Sequence, residues 1–313
     1  MKILFLDSTH FLLEDGLREA GHELTFDYTN PLEKVTQTLA EYDGLIVRSR
    51  LPINAEFLSH GTNLKFIGRF GAGLENIDTA FAEAKNIKCI RVPGGNRDAV
   101  GEHAIGMLLS LFNNLNRADA EVRSGIWKRK ENTGVELQGK TVGVIGCGFM
   151  GSAFVEKLQG FDVKVLVYDK YKNNVAPDWA FETSLKAIFE EADILSLHTP
   201  LTAETKNLLN RDFILQFRKP FYLINTARGP IVNTADLVEG LKNEKILGAC
   251  LDVLEYEKSS FENMFSDENL PAPLQYILQS DKVILSPHIA GWSHQSFAKM
   301  AEAMLFKVAK LEG

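Results

Sequence analysis

Short apolar runs alternate with longer stretches of helical spacing along almost the whole chain. Residues 3–6, 24–26, 44–47, 64–67 and 89–92 read as buried strands. Residues 11–20, 32–40 and 79–85 between them carry helical spacing, and the first stops at Gly21, a C-terminal glycine signal. The pattern resumes with strands at 141–145, 163–168, 194–198, 221–224, 247–251 and 283–285. Ser184 and Thr234 stand as helix caps, and residues 293–311 form a last amphipathic helix. Residues 102–115 are apolar around most of a helix circumference, which predicts burial between domains or against a second subunit. Residues 117–138 are polar, and residues 259–279 read as an insertion or lid-like loop. Regular strand–helix alternation predicts an α/β chain of two doubly wound parallel-sheet domains. Residues 1–100 with 292–313 form the smaller one, and residues 101–291 the larger. Chain crossings near residues 101 and 290 predict a hinge.

One turn in this pattern carries chemistry of its own. The strand at 141–145 runs into Gly146-Cys147-Gly148-Phe149-Met150-Gly151, an apolar helix follows, and the next strand ends in Asp169. Gly146 allows a tight turn, Gly148 lets backbone approach a pyrophosphate, and Gly151 lets helix and strand pack closely. The helix start offers free N–H groups to a diphosphate. Asp169 is placed to accept the adenosine ribose hydroxyls and to repel a 2′-phosphate. The expected cofactor is therefore NAD, with Lys170 and Lys172 a counterweight to that preference.

Composition narrows the class. The chain has 313 residues, 45% apolar and 24% charged, an ordinary globular mix with room for two domains. Net charge is −7 with no long basic run, so no nucleic-acid or membrane partner is expected. No apolar stretch reaches the ~18 residues of a membrane span. The N-terminal apolar run is too short for a signal peptide, and a cytoplasmic location follows as the default. Cys89, Cys147 and Cys250 form neither a disulfide framework nor a zinc pattern, and each is expected to pack in or beside a strand. No metal site is expected.

Ligands of open α/β sheets sit outside the carboxyl ends of the strands. Arg228, Asp252, Glu257 and His288 all follow strands on that edge. An arginine fork suits a carboxylate and carbonyl, and a histidine near neutral pKa suits proton transfer. A carboxylate paired to the imidazole orients its ring. Read alone, Arg228 is as well a surface arginine, His288 a packed histidine and Glu257 part of a solvated cluster. Their shared edge, downstream of a nucleotide turn, favours hydride transfer at a carbonyl.

Several ordered motifs give a more specific reading. They are Leu45-Ile46-Val47-Arg48-Ser49-Arg50, Gly68-Arg69-Phe70-Gly71-Ala72-Gly73, the glycine turn with Asp169, His198-Thr199-Pro200, Asn225-Thr226-Ala227-Arg228-Gly229, Leu251-Asp252-Val253 and Ser286-Pro287-His288-Ile289-Ala290-Gly291. Over essentially its whole length the chain resembles the D-2-hydroxyacid dehydrogenases. The resemblance implies a Rossmann NAD-binding domain, a flavodoxin-like substrate domain, a 2-hydroxy or 2-keto acid substrate and a homodimer. It implies that Arg228 binds the substrate, His288 is the acid/base and Glu257 orients it. Cofactor contacts are implied for the Phe149 and Met150 amides, His198, Thr199, Pro200, Thr226, Ala227, Arg228, Asp252, His288, Ala290 and Gly291. Arg48, Ser49, Arg69, Ala72 and Gly73 are implied to hold the substrate.

Within the family, Arg48-Ser49 with Gly68-Arg69 looks most like the D-3-phosphoglycerate dehydrogenases of serine biosynthesis. Two strand-end arginines suit a phosphate, although either one alone is as well a partner of a local acid. A glyoxylate or hydroxypyruvate reductase is the alternative, and a non-catalytic NAD-sensing protein a third. Phe70 beside Gly71 is expected to narrow the site, and Lys258 stands where the family has proline. Ending at Gly313, the sequence is expected to lack a C-terminal regulatory domain.

Overall fold

The computed structural model describes residues 1–257 and 269–311. They divide into two compact units, residues 1–97 with 292–311 and residues 98–257 with 269–291. All strands pair in parallel.

The first unit holds β1 (Lys2–Phe5), β2 (Glu23–Phe26), β3 (Gly44–Val47), β4 (Phe66–Arg69) and β5 (Lys88–Arg91), in the order β2-β1-β3-β4-β5. The order reverses between β1 and β3, which opens a crevice at their carboxyl ends. β3 is buried at every position, as a strand covered on both faces requires. Leu45 and Val47 pack on one face with Leu4 and Phe57, and Ile46 on the other with Phe5, Phe66 and Met304. Phe70 belongs to that second face and is 1% exposed. It fills the core rather than narrowing a site.

The second unit holds β6 (Thr141–Ile145), β7 (Lys164–Tyr168), β8 (Phe181–Glu182), β9 (Ile194–Leu197), β10 (Phe221–Asn225), β11 (Ile246–Leu251) and β12 (Val283–Leu285). The order is β12-β11-β10-β9-β6-β7-β8, with its reversal between β6 and β9. Leu195, Leu197 and Leu223 face one core, Ile194 and Ile224 the other.

Four expectations change. The apolar helix runs Arg97–Phe112, and Ala104, Ile105, Leu108 and Phe112 are buried in the second unit's own core. Its burial therefore calls for no second subunit. Asn114 turns the chain at φ +54, and a further helix, Leu115–Arg123, occupies part of the stretch expected to be only polar. Asn233, not Thr234, caps the Thr234–Lys242 helix, its side chain accepting from the Asp236 N–H at 3.0 Å. The expected lid-like loop at 259–279 contains the Ala272–Gln279 helix, with Leu274 and Ile277 buried. Residues 259–268 of that stretch lie outside the described residues, as does Lys258. Of the cysteines, Cys147 and Cys250 are buried and Cys89 is half-buried. Among the described residues no helix is long and apolar enough to cross a membrane.

Candidate active site

At the reversal point of the second sheet the glycine turn has little freedom. Gly146 sits at φ +88, where a Cβ would lie 2.8 Å from the His198 carbonyl oxygen. At Gly151 a Cβ would lie 2.0 Å from the Gly146 carbonyl oxygen. Gly148 differs, because nothing stands within 4 Å of its missing Cβ. Open space therefore adjoins the one glycine meant to face a ligand. Gly148 also starts the Phe149–Leu158 helix with no side-chain cap, so the first amides keep no internal acceptor.

Asp169 braces the turn from the end of β7. Its Oδ2 accepts from the Cys147 N–H at 2.9 Å, and Oδ1 from the Tyr171 and Lys172 N–H groups at 3.0 and 3.1 Å. The counterweight expected from Lys170 is reduced, because its ammonium pairs with Glu204, which also takes the Tyr171 hydroxyl.

Beside this turn, His198 Nε2 meets Ser196 Oγ at 2.8 Å and its ring lies 5.2 Å from that of Phe154. Burial pushes its pKa down to about 4, so the ring is neutral at pH 7. His198 Nδ1, Thr199 Oγ1 and Thr226 Oγ1 are buried with no hydrogen-bond partner among the described residues. Three orphaned polar atoms at adjacent strand ends fit a polar ligand such as a dinucleotide.

The strand ends of β10, β11 and β12 hold Arg228, Asp252 with Glu257, and His288. The Asn225 side chain brackets the Arg228 turn, accepting from the Ala227 N–H and donating to the Arg228 carbonyl, both at 3.1 Å. Gly229 follows because a Cβ there would lie 1.9 Å from the Leu254 carbonyl oxygen. The Arg228 turn is thus pressed onto the turn that ends in Glu257. Arg228 is half-buried, and its Nη1 donates to the Ala227 carbonyl at 2.7 Å.

Glu257 Oε1 accepts from the Leu254 N–H at 2.5 Å, and its Oε2 lies 2.8 Å from His288 Nδ1. His288 itself is left-handed, at φ +56, an uncommon conformation for a residue other than glycine. Asp252 holds it there. The Asp252 carbonyl accepts from the His288 N–H at 2.8 Å, its Oδ1 from Ile289 at 2.9 Å and its Oδ2 from Ala290 at 2.8 Å. This carboxylate is 1% exposed. The site residues of the second unit therefore come together as one continuous strand-end edge.

The first unit carries the other expected residues. Arg48 lies at the reversal between β1 and β3, its backbone N–H donating to Asp7 Oδ2 at 2.6 Å. Its guanidinium carbon stands 4.3 Å from the Trp292 ring and 4.8 Å from Phe297, rings that meet edge-on at 5.9 Å. Burial lowers the Arg48 pKa, with Asp7 opposing. Arg69 Nη1 donates to the Phe70 carbonyl at 3.0 Å. Ser49 is half-buried, as are Ala72 and Gly73. Arg50, by contrast, donates from each of its three guanidinium nitrogens, to the Leu6, Asn30 and Asp27 carbonyls, and is structural. Sequence reasoning gave no role to Glu204 and Trp292, whose partners Lys170, Tyr171 and Arg48 are remote in sequence and leave no local pattern, nor to Asn225, although its partners stand only two and three residues on.

A family model described as the D-isomer specific 2-hydroxyacid dehydrogenase NAD binding domain matches residues 105–290. A glyoxylate reductase of Thermofilum pendens is 37% identical over 284 residues, 88% of this chain and 80% of that protein. A D-3-phosphoglycerate dehydrogenase of Archaeoglobus fulgidus is 32% identical over 301 residues, 95% of this chain but only 54% of that protein's length. A crystal structure of a Thermus thermophilus protein superposes with a TM-score of 0.85 at 30% identity, covering 100% of this chain and 97% of that one.

Proposed function

The chain belongs to the D-isomer specific 2-hydroxyacid dehydrogenases, which work with NAD, and from that premise we propose that it interconverts D-3-phosphoglycerate and 3-phosphohydroxypyruvate. For the class of reaction, the carrying observation is the 2.8 Å pair of His288 Nδ1 and Glu257 Oε2 on the edge shared with Arg228. When bound, NAD would supply the acceptor for the hydride on C2 of the hydroxy acid. Arg228 holds the carboxylate and the oxygen on C2 through its planar fork. His288 Nε2 accepts the hydroxyl proton on oxidation and returns it on reduction, while Nδ1 stays on Glu257. The carboxylate fixes the ring and stabilises the imidazolium that forms.

For the cofactor, the Gly148, Phe149 and Met150 amides suit the diphosphate and Asp169 the ribose. Residues His198, Thr199 and Pro200 flank the adenosine, and Thr226, Ala227, Ala290 and Gly291 line the nicotinamide end. Asp252 Oδ2, which takes a single hydrogen bond among the described residues, suits the nicotinamide amide.

What supports the phosphorylated substrate is Arg48. Among the described residues its guanidinium has two aromatic faces and no carboxylate within ion-pair distance. A half-buried arginine in that state, at a sheet reversal point, is suited to an anionic ligand. Arg69, Ser49 and the Ala72 and Gly73 amides complete the proposed substrate groups of the first unit. A second reading, reduction of glyoxylate or hydroxypyruvate, is favoured by the 37% identity to a glyoxylate reductase across 80% of its length. We place the protein in the cytoplasm and in serine biosynthesis on the first reading, and as a homodimer on either.

The test is a substrate panel read by NADH absorbance. D-3-phosphoglycerate, D-glycerate and D-lactate are offered with NAD, and glyoxylate and hydroxypyruvate with NADH. The phosphorylated acid should give the largest kcat/KM, and Arg48→Ala should lower it mainly through KM. Turnover confined to glyoxylate or hydroxypyruvate would move the assignment to the second reading.

A further inference from the structure

A second histidine stands behind the first. His103 and Met107 lie one helical turn apart on the Arg97–Phe112 helix, and both face Ser286. His103 Nε2 is 2.8 Å from Ser286 Oγ, and Met107 Sδ is 3.7 Å from it. Ser286 Oγ is in turn 2.6 Å from Asp252 Oδ1. The proton positions follow from counting. A serine hydroxyl has one hydrogen, and the carboxylate oxygen, which can only accept, is the stronger claimant over the thioether. Ser286 therefore donates to Asp252, and His103 Nε2 carries the hydrogen that Ser286 Oγ accepts. Asp252 Oδ1 also takes the Ile289 N–H and Oδ2 the Ala290 N–H, so the carboxylate clamps the two residues after His288. Its carbonyl holds the His288 N–H itself.

We propose that His103 is a positioning residue for proton transfer: through Ser286 and Asp252 it holds the backbone that keeps His288 left-handed and aligned with Glu257. The inference rests on the reading of His288 as the acid/base. His103 touches neither His288 nor Glu257 and acts only through the serine and the carboxylate. Without its N–H, Ser286 loses the partner that fixes its rotamer. The buried carboxylate then loses a donor, and the loop after it gains freedom. A left-handed residue other than glycine stays in place only while its surroundings hold it.

The experiment compares His103→Leu, His103→Gln, Ser286→Ala and the Leu/Ala double variant. Each is assayed with NAD and whichever of D-3-phosphoglycerate, D-glycerate and D-lactate the wild type oxidises best. His103→Leu and Ser286→Ala should each lower kcat about tenfold with KM little changed. The double variant should lose less than the sum of the two single losses, because both act on Asp252, through the Ser286 link and through the 3.7 Å approach of His103 Nε2 to Asp252 Oδ1. His103→Gln, which can present an amide N–H near the Nε2 position, should recover most of the rate. A purely structural histidine would lower the melting midpoint and leave kcat alone, and that outcome overturns the proposal, as do additive losses. Should His103→Leu not fold, Ser286→Ala and His103→Gln still carry the comparison. His288→Asn is the control: if it retains the wild-type rate, the reading of the acid/base has failed, independently of His103.

Discussion

At the scale of single residues, steric and electrostatic demands are sharp enough to test one side chain at a time. Gly151→Ala puts a Cβ 2.0 Å from the Gly146 carbonyl oxygen, a backbone atom that cannot step aside alone. It should destabilise the second unit by about 1–3 kcal/mol and weaken NADH binding, read by melting and by NADH fluorescence titration. His198 makes stability depend on pH. Its folded pKa is about 4 against an ordinary 6.5, so the unfolded chain binds the proton first. The neutral ring's contribution is fully present above pH 6.5 and is lost as pH falls toward 4. Melting midpoints should drop over that window, and His198→Gln should flatten the drop. These residues were legible for a local reason. Gly146, Gly148 and Gly151 lie within a single turn, so their spacing is itself the signal. The Glu257–His288 pair was legible only as two groups on a shared edge. Its 2.8 Å contact spans 31 residues of chain, and no spacing rule encodes it.

At the scale of elements, burial decided what periodicity left open. The Arg97–Phe112 helix is apolar nearly all round because it lies under the second sheet, where Leu108 is wholly enclosed. Leu108→Ala should cost about 2–5 kcal/mol in denaturant unfolding. Asn233→Ala removes a side-chain cap and should cost about 1 kcal/mol, whereas Thr234→Ala should leave the Asp236 N–H bonded. The sequence places a threonine and an asparagine side by side, and both are good caps. Only the backbone path, extended at Asn233, selects between them. The short Ala55–Ser59 and Arg211–Gln216 helices had no periodic signal, because five or six residues do not repeat a helical face. They are held by the caps Asn54 and Asn210 and by buried Phe57 and Phe213.

At the scale of the molecule, exposed apolar side chains remain on both units, among them Phe11 and Phe306 on the first and a group around one helix on the second. Leu115 and Val122 of the Leu115–Arg123 helix are each 53% exposed, and Trp127 just beyond is 77% exposed. Large side chains grouped this way suit a subunit interface. Sedimentation at micromolar concentration should show a dimer, and Trp127→Asp should shift it toward monomer; a wild-type monomer would refute the proposed homodimer. The sequence by itself determined the two parallel-sheet units, the dinucleotide turn and the strand-end edge on which Arg228, Glu257 and His288 lie. Each of these depends on periodicity or on residues within one turn, and such relations are written in local order. Tertiary structure alone decided that Arg48 lies over Trp292 and Phe297, that Asp252 clamps the His288 loop and that His103 stands behind it through Ser286. Those contacts join segments far apart in the chain, and only the packing of helices on the sheets brings them within a hydrogen bond's reach.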